Sequence, residues 1–269
     1  MKSRILIGIP LAALLISVIV FDGIYPIIIV SLFSFAGTYE VSHASLKRAF
    51  RPFPVPAYLF SFLFPYVFYF AGEKMSFLLF LACYTASMIL LVIRRPSEPA
   101  NVLISLFLYI YPILNFVCVA IAANSFSKDA NCIAKILMMA VPLISDTSAY
   151  FFGRAFGKHK LSPAVSPNKT WEGAFAAVAA GILSGVVICL VRYFSGNESI
   201  PYYVIMIVST VCAVVGMFGD LFASLYKRWT GVKDYSGLFK EHGGVIDRLD
   251  SILICAPVVL LLFNLFGIS

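Results

Sequence analysis

Long apolar runs constrain the fold of this chain more than any motif does. Residues 75–93 and 99–123 are clear examples, and each is about as long as the roughly 20 residues of a membrane-spanning helix. Strands of a membrane barrel would instead alternate over about 10 positions. The chain is also 61% hydrophobic and 12% charged, whereas soluble domains are roughly 45–50% apolar and 25% charged. We therefore predict an all-α, polytopic membrane bundle.

The apolar runs predict about nine spans. They cover residues 5–21, 24–40, 57–72, 75–93, 99–123, 131–153, 172–191, 200–223 and 249–268. The five spans within residues 1–130 are predicted to form a scaffold with lipid access. The four spans within residues 131–269 are predicted to carry the catalytic motifs, with no separate soluble domain.

The basic residues predict the orientation. If the N-terminus is inside, four of the 20 basic residues remain outside, namely Lys74, Lys128, Lys135 and Arg192. The positive-inside rule therefore favours an internal N-terminus and cytoplasmic polar loops. We attribute the net charge of +7 to this topology and to attraction of anionic headgroups or phosphates, rather than to nucleic acid.

Aspartates in or beside the spans are the first functional candidates. Asp146 and Asp220 precede the basic ends of their helices by about two turns, or roughly 10–12 Å. Asp247 opens the last span, and Asp250 follows one turn later. These acids are thus predicted to share one depth near the cytoplasmic surface. An acid inside a membrane is costly and by default functional, although a salt bridge that locks the bundle is the alternative.

Helical spacing predicts two polar faces. Positions i, i+4, i+7 and i+8 of one face hold Asp220, Ser224, Lys227 and Arg228. Positions i, i+3 and i+4 of the other hold Asp247, Asp250 and Ser251. Such faces can bind a hard cation through carboxylates and a phosphate through neighbouring cations. Mg²⁺ typically takes one or two carboxylates together with substrate phosphates and water.

Two loops add candidate anion contacts. Gly243 and Gly244 permit unusual backbone angles and close approach to an anion, whereas His242 either donates to a phosphate or caps the loop. Before the seventh span, Asn168 or Thr170 is predicted to cap the helix. Lys169 lies at that helix N-terminus, where a cation and backbone N–H groups together make an anion site.

These polar segments resemble the signature of the phosphatidate cytidylyltransferases, also called CDP-diacylglycerol synthases. One segment reads SDTSAYFFGR, then GK, then SPNKTWEG, and the other runs from Ser224 to Asp250 through HGGVIDRLD. The likeness extends over residues 140–255. Two departures are Ser148, where the family commonly has Gly, and Asn168, where Lys is commoner.

The resemblance implies that CTP and phosphatidic acid give CDP-diacylglycerol and pyrophosphate, with Mg²⁺ required, in the inner membrane of a bacterium. On this hypothesis Asp220 and Asp247 hold Mg²⁺, while Asp146 and Asp250 bind a second cation or orient the first. The predicted phosphate clamp comprises Lys227, Arg228, Lys233 and Arg248. Further predicted substrate contacts are Asn168, Lys169, Thr170, Ser224, His242, Gly243 and Gly244.

Other classes of protein fit the pattern less well. A transporter would place its polar groups near the bilayer midplane, often within inverted repeats, and no repeat is visible here. A CTP-dependent lipid kinase is the nearer competitor, and it would release CDP instead of pyrophosphate. The Ala- and Gly-rich seventh span, with Gly181 and Gly185, indicates either close packing within the protomer or a homodimer.

Overall fold

The computed structural model of the chain describes residue 10 and residues 13–48, 50–94, 98–197, 199–239 and 243–268. These residues form two compact units, one from the described parts of Met1–Asn124 and Tyr226–Arg248 and the other from those of Ser125–Leu225 and Leu249–Ser269. Helices dominate both units. The prediction of an all-α membrane protein is confirmed.

The described residues of the first unit include the helical residues 13–20 and four helices with defined bounds. These four helices are α1 (Ile24–Leu46), α2 (Val55–Arg94), α3 (Pro99–Leu108) and α4 (Leu114–Ala122). A π-helical turn, Tyr109–Ile113, joins α3 to α4, so that Pro99–Ala122 is one candidate span.

Helix α2 folds back on itself at a single residue. Gly72 has a φ of 80°, which glycine adopts without the steric cost that a side chain would bring. The ring centroids of Phe60 and Phe80 consequently lie 5.6 Å apart, although a straight helix would separate these residues by about 30 Å. The predicted spans 57–72 and 75–93 therefore correspond to the two arms of α2, which meet at the non-helical Gly72.

The predicted number of spans is wrong. Among the described residues, six helical segments are long and apolar enough to cross a membrane, and they are Ile24–Leu46, Val55–Arg94, Pro99–Ala122, Lys128–Phe156, Trp171–Phe194 and Tyr202–Thr230. Glu73 and Lys74, which lie between the predicted spans 57–72 and 75–93, directly follow the non-helical Gly72 at which α2 folds back. In the predicted span 5–21, the described residues 13–20 are helical, and residues 5–9, 11 and 12 lie outside the described residues.

The second unit begins with helices and a small hairpin. Its elements are α5 (Lys128–Lys135), a π-helical turn (Ile136–Ala140), α6 (Val141–Phe156), β1 (Lys160–Ser162), β2 (Ser166–Thr170) and α7 (Trp171–Phe194). The strands are antiparallel, with Lys160 opposite Thr170 and Ser162 opposite Ser166. Helices α8 (Tyr202–Thr230) and α9 (Ile246–Leu265) contribute residues to both units.

Thr170 begins helix α7 as predicted. Its Oγ1 atom accepts a hydrogen bond of 3.2 Å from the Gly173 N–H, which satisfies one of the free donors of the first helical turn. Of the two predicted caps, the structure therefore selects Thr170 and leaves Asn168 on the exposed part of β2.

Close contact between α7 and α8 explains the small residues of the seventh span. A Cβ atom on Gly181 would overlap the Cβ of Ala213, and one on Gly185 would overlap Oγ of Ser209. The glycines thus let the two backbones approach closely. The predicted packing role within the protomer is confirmed.

We expect Gly181→Ala to lower the free energy of unfolding by about 1–3 kcal/mol, because the added methyl must displace Ala213 or shift α8. Thermal unfolding in detergent, followed by monomer content, measures the effect. Gly237→Ala is the matched control, since no atom lies within 4 Å of the position of its added Cβ. Equal melting temperatures for both variants would contradict this account of the helix contact.

Candidate active site

A cavity of about 630 Å³ lies within the second unit. Its walls come from α6, the hairpin, the start of α7, and α8. Polar and charged side chains lining it are Asp146, Tyr150, Arg154, Lys160, Ser166, Asn168, Lys169, Thr170 and Asp220. Because α6, α7 and α8 belong to membrane-spanning segments, this is a charged cavity in an otherwise apolar protein.

Lys169 and Asp220 form an ion pair on the cavity wall. The distance from Nζ of Lys169 to Oδ2 of Asp220 is 2.9 Å, and the two side chains are 21% and 34% exposed. Nζ also donates a 3.1 Å hydrogen bond to the Met217 carbonyl. Oδ1 of Asp220 accepts a 3.3 Å hydrogen bond from Ser224, as the predicted i, i+4 spacing requires. Partial exposure leaves both charges accessible to a ligand.

Asp146 reaches the same cavity from α6. Its Oδ2 atom accepts a 2.6 Å hydrogen bond from Oγ of Ser251. Asp250 is nearly buried, and its Oδ1 accepts a 2.8 Å hydrogen bond from the Ser251 N–H. Of the predicted acids in this unit, Asp146 and Asp220 therefore line the cavity, whereas Asp250 is not among its lining residues.

Four polar or charged lining residues were missed in the sequence, namely Tyr150, Arg154, Lys160 and Ser166. Tyr150 and Arg154 lie on α6, where Nη1 of Arg154 donates a 3.2 Å hydrogen bond to the Tyr150 hydroxyl. Lys160 comes from β1. The spacing Asp146, Tyr150, Arg154 is i, i+4, i+8, so these residues share one helix face. That pattern could have identified the two α6 residues from the sequence.

A second polar cluster lies in the first unit around Asp247. Its Oδ1 atom is 2.6 Å from Nζ of Lys227, and the two side chains are 4% and 13% exposed. Its Oδ2 atom accepts 2.9 Å hydrogen bonds from the N–H groups of Tyr235 and Gly244. Both oxygens of the Asp247 carboxylate are therefore engaged.

Tyr235 supports this ion pair from the loop. Its ring centroid lies 5.7 Å from Nζ of Lys227, within the roughly 6 Å range of a cation–π contact. Burial raises the pKa of Tyr235 well above its ordinary value, so the phenol stays neutral. The loop thus presents an aromatic face and a backbone donor to the Lys227–Asp247 pair.

The profile of the cytidylyltransferase family matches residues 2–266 of this chain. The chain belongs to the cytidylyltransferase family. A protein of Haemophilus influenzae named phosphatidate cytidylyltransferase is 31% identical over 283 residues, an alignment that covers 96% of both chains. The predicted family resemblance is confirmed.

Two further relatives match part of this cytidylyltransferase. A Staphylococcus epidermidis protein is 40% identical over 116 residues, or 43% of each chain. A Bacillus subtilis protein is 38% identical over 123 residues, which is 46% of this chain and 44% of the relative. Both are named phosphatidate cytidylyltransferase.

The other described site residues predicted for the cytidylyltransferase are close in sequence to the second cluster. Arg228, Lys233 and Arg248 have exposed side chains in the first unit. Gly243 has a φ of 75° and, like Gly244, is buried. His242 lies outside the described residues. The predicted phosphate roles of these side chains stay predictions.

Mg²⁺, which the family resemblance predicts for this cytidylyltransferase, needs oxygen ligands such as carboxylates. Among the described residues, no three His, Cys, Asp or Glu side chains form a metal-binding group. Mg²⁺ usually takes one or two carboxylates and completes its shell with water and substrate phosphates. Asp146 and Asp220 fit this requirement, since both line one cavity. At Asp247, a metal would have to displace Lys227.

Proposed function

We propose that this cytidylyltransferase acts on phosphatidic acid, forming CDP-diacylglycerol and pyrophosphate from CTP. The observation that carries the proposal is the cavity that combines Asp146 and Asp220 with Arg154, Lys160 and Lys169 among membrane helices. A lipid phosphate and a nucleotide triphosphate both need cationic partners. The full-length similarity to a relative named for this activity supports the same substrate pair.

The cations of the cavity are proposed to bind phosphate oxygens. Arg154 offers a planar fork of N–H donors, while Lys160 and Lys169 provide mobile point charges. Lys169 would exchange its contact with Asp220 for a phosphate oxygen. Asn168 and Thr170, beside it on β2, would orient the same ligand, as predicted from the sequence.

Asp146 and Asp220 are proposed to hold Mg²⁺ together with nucleotide oxygens. When bound, the ion neutralises phosphate charge and stabilises the leaving oxygen. The ligand roles predicted for Asp247 and Asp250, and the second cation, stay predictions. The structure gives Asp247 a Lys227 partner that either leaves on metal binding or remains as the cation beside a phosphate.

The reaction needs no strong general base. A phosphate monoester has a second pKa of about 6 and is mostly dianionic near pH 7. A phosphatidate oxygen can therefore attack the α-phosphorus of CTP directly and form a new P–O bond. The bond from the α-phosphorus to the bridging oxygen breaks, and pyrophosphate leaves with the electron pair. Catalysis then consists mainly of alignment and charge neutralisation.

The protein is an integral membrane protein by its apolar helices. We further propose that it lies in a bacterial inner membrane with its active site towards the cytoplasm. The bias of basic residues supports this orientation, and CTP would be available on that side. A homodimer stays a prediction.

An isotope assay tests the proposed function. Purified protein in detergent receives phosphatidic acid, Mg²⁺ and CTP labelled at the α-phosphate, and both lipid label and pyrophosphate are measured. We expect both to form, to vanish with chelator and to return with added Mg²⁺. Diacylglycerol in place of phosphatidic acid is the control acceptor. Release of CDP without label in the lipid would instead identify a CTP-dependent kinase.

A further inference from the structure

A buried glutamate of α1 contacts the segment that carries Asp247. Glu40 is 2% exposed and lies in the apolar helix Ile24–Leu46. Its Oε1 accepts a 2.9 Å hydrogen bond from the Val245 N–H, and its Oε2 accepts one of 2.9 Å from the Ile246 N–H. The Ser236 hydroxyl donates a 2.5 Å hydrogen bond to Oε1. All these residues belong to the first unit.

We propose that Glu40 is a positioning residue for Asp247, the carboxylate at the start of α9. This inference rests on the proposed function, in which Asp247 takes part in cytidylyl transfer. Glu40 acts through backbone N–H groups, so its effect on the reaction is indirect. It was not identified in the sequence as a site residue.

The carboxylates of Glu40 and Asp247 each accept hydrogen bonds from backbone N–H groups at the start of α9. Gly244 and Val245 immediately precede α9, and Ile246 is its first residue. The first N–H groups of a helix have no partner within it, and the N–H groups of all three residues are satisfied by side chains. Gly244 donates to Asp247, whereas Val245 and Ile246 donate to Glu40. The positive end of the helix dipole favours both negative charges. Glu40 thus fixes the backbone from which the Asp247 side chain projects.

The same two carboxylates also hold the preceding loop. Ser236 donates to Glu40, and the neighbouring Tyr235 N–H donates to Asp247. Oδ1 of Asp247 is then directed at Lys227. Loss of the Glu40 contacts would release both sides of the loop and widen the range of positions that Asp247 adopts.

The Gly-Gly pair of the signature has a physical reason in this contact. Gly243 has a φ of 75°, a conformation that glycine adopts readily. Gly244 is needed for space, because a Cβ atom there would overlap the Glu40 carboxylate. One glycine turns the chain, and the other admits Glu40 to the backbone of the helix start.

Glu40→Gln is the decisive variant. The amide keeps the size of the side chain but places an NH₂ group against N–H donors. We expect kcat to fall about 10–100-fold, as for other residues that orient catalytic groups, while KM for CTP and phosphatidic acid changes less than about 3-fold. Amide hydrogen exchange in residues 243–247 should accelerate. Glu40→Asp, which keeps the charge, should recover part of the rate.

Glu73→Gln is the matched control, because Glu73 is an exposed glutamate of α2 in the same unit. It should alter neither turnover nor exchange. If Glu40→Gln fails to fold, Ser236→Ala removes one donor and should still accelerate exchange in residues 235–247. The proposal would be overturned if Glu40→Gln left both hydrogen exchange and kcat unchanged. If Glu40→Gln does not fold, the same result in folded Ser236→Ala would overturn it. Absence of wild-type turnover would reject the proposed function, and exchange alone would then decide the anchoring role of Glu40.

Discussion

Asp247→Asn is expected to reduce turnover by at least about 100-fold, the scale seen when one preorganised polar contact is removed from an active site. The Asp247 carboxylate faces donors on both oxygens, namely Lys227 on one side and the Tyr235 and Gly244 N–H groups on the other. An amide has one oxygen and one NH₂ group. Either orientation of the substituted amide would therefore set a donor against a donor.

The measurement for Asp247→Asn is the initial rate of labelled lipid formation, with thermal unfolding as the check of folding. Glu98→Gln is the matched control, since Glu98 is exposed, lies in the same unit and makes no capping hydrogen bond with its side chain. Near-normal turnover in a folded Asp247→Asn protein would remove Asp247 from the proposed site.

Asp220→Asn should also cost at least about 100-fold in turnover, and it should raise the Mg²⁺ concentration needed for half-maximal rate. The variant removes a proposed metal ligand and the negative partner of Lys169, whose Nζ lies 2.9 Å away. Lys169→Met should instead raise KM for CTP, because it removes a proposed phosphate contact. The two variants thus separate the cation site from the phosphate site.

Titrations of Mg²⁺ and CTP on both variants test this separation. Asp129→Asn serves as the control in the second unit, since Asp129 is exposed and an Asn oxygen can still accept the hydrogen bond from Asn197. An unchanged Mg²⁺ requirement in Asp220→Asn would show that Asp220 is not a ligand of the ion.

Local features of the site followed well from the sequence. The Thr170 cap and the Ser224–Asp220 hydrogen bond depend on spacings of three and four residues, which helix geometry fixes. The packing of Gly181 against α8 likewise follows from the small size of glycine. These interactions could be predicted because the residue types at fixed intervals determine them.

Glu40 could not be predicted in the same way. Its N–H partners are backbone groups of Val245 and Ile246, separated from it by 205 and 206 residues. Every residue except proline supplies such a donor, so the partner segment carries no distinctive side chain. The sequence showed a single glutamate within an apolar run. That pattern did not indicate which residues the glutamate contacts.

The hairpin differed from the all-α prediction for a local reason. The hairpin Lys160–Ser162 and Ser166–Thr170 contains prolines and polar residues without the alternation of a buried strand. In α2, by contrast, the chain turns at Gly72, the boundary between the predicted spans 57–72 and 75–93. The break between two apolar runs therefore marked this turn, whereas the polar segment 160–170 gave no signal of strands.

The distance in sequence between Glu40 and its partners also sets an order of events during biosynthesis. At about 5–20 residues per second, a ribosome needs roughly 10–40 s to synthesise the 205 residues from Glu40 to Val245. Throughout that interval the nascent helix α1 carries a carboxylate whose native backbone donors do not yet exist. The hydrogen bonds from Val245 and Ile246 to Glu40 can form only after most of the second unit has been translated. The last hydrogen bonds of the first unit therefore form near the end of synthesis.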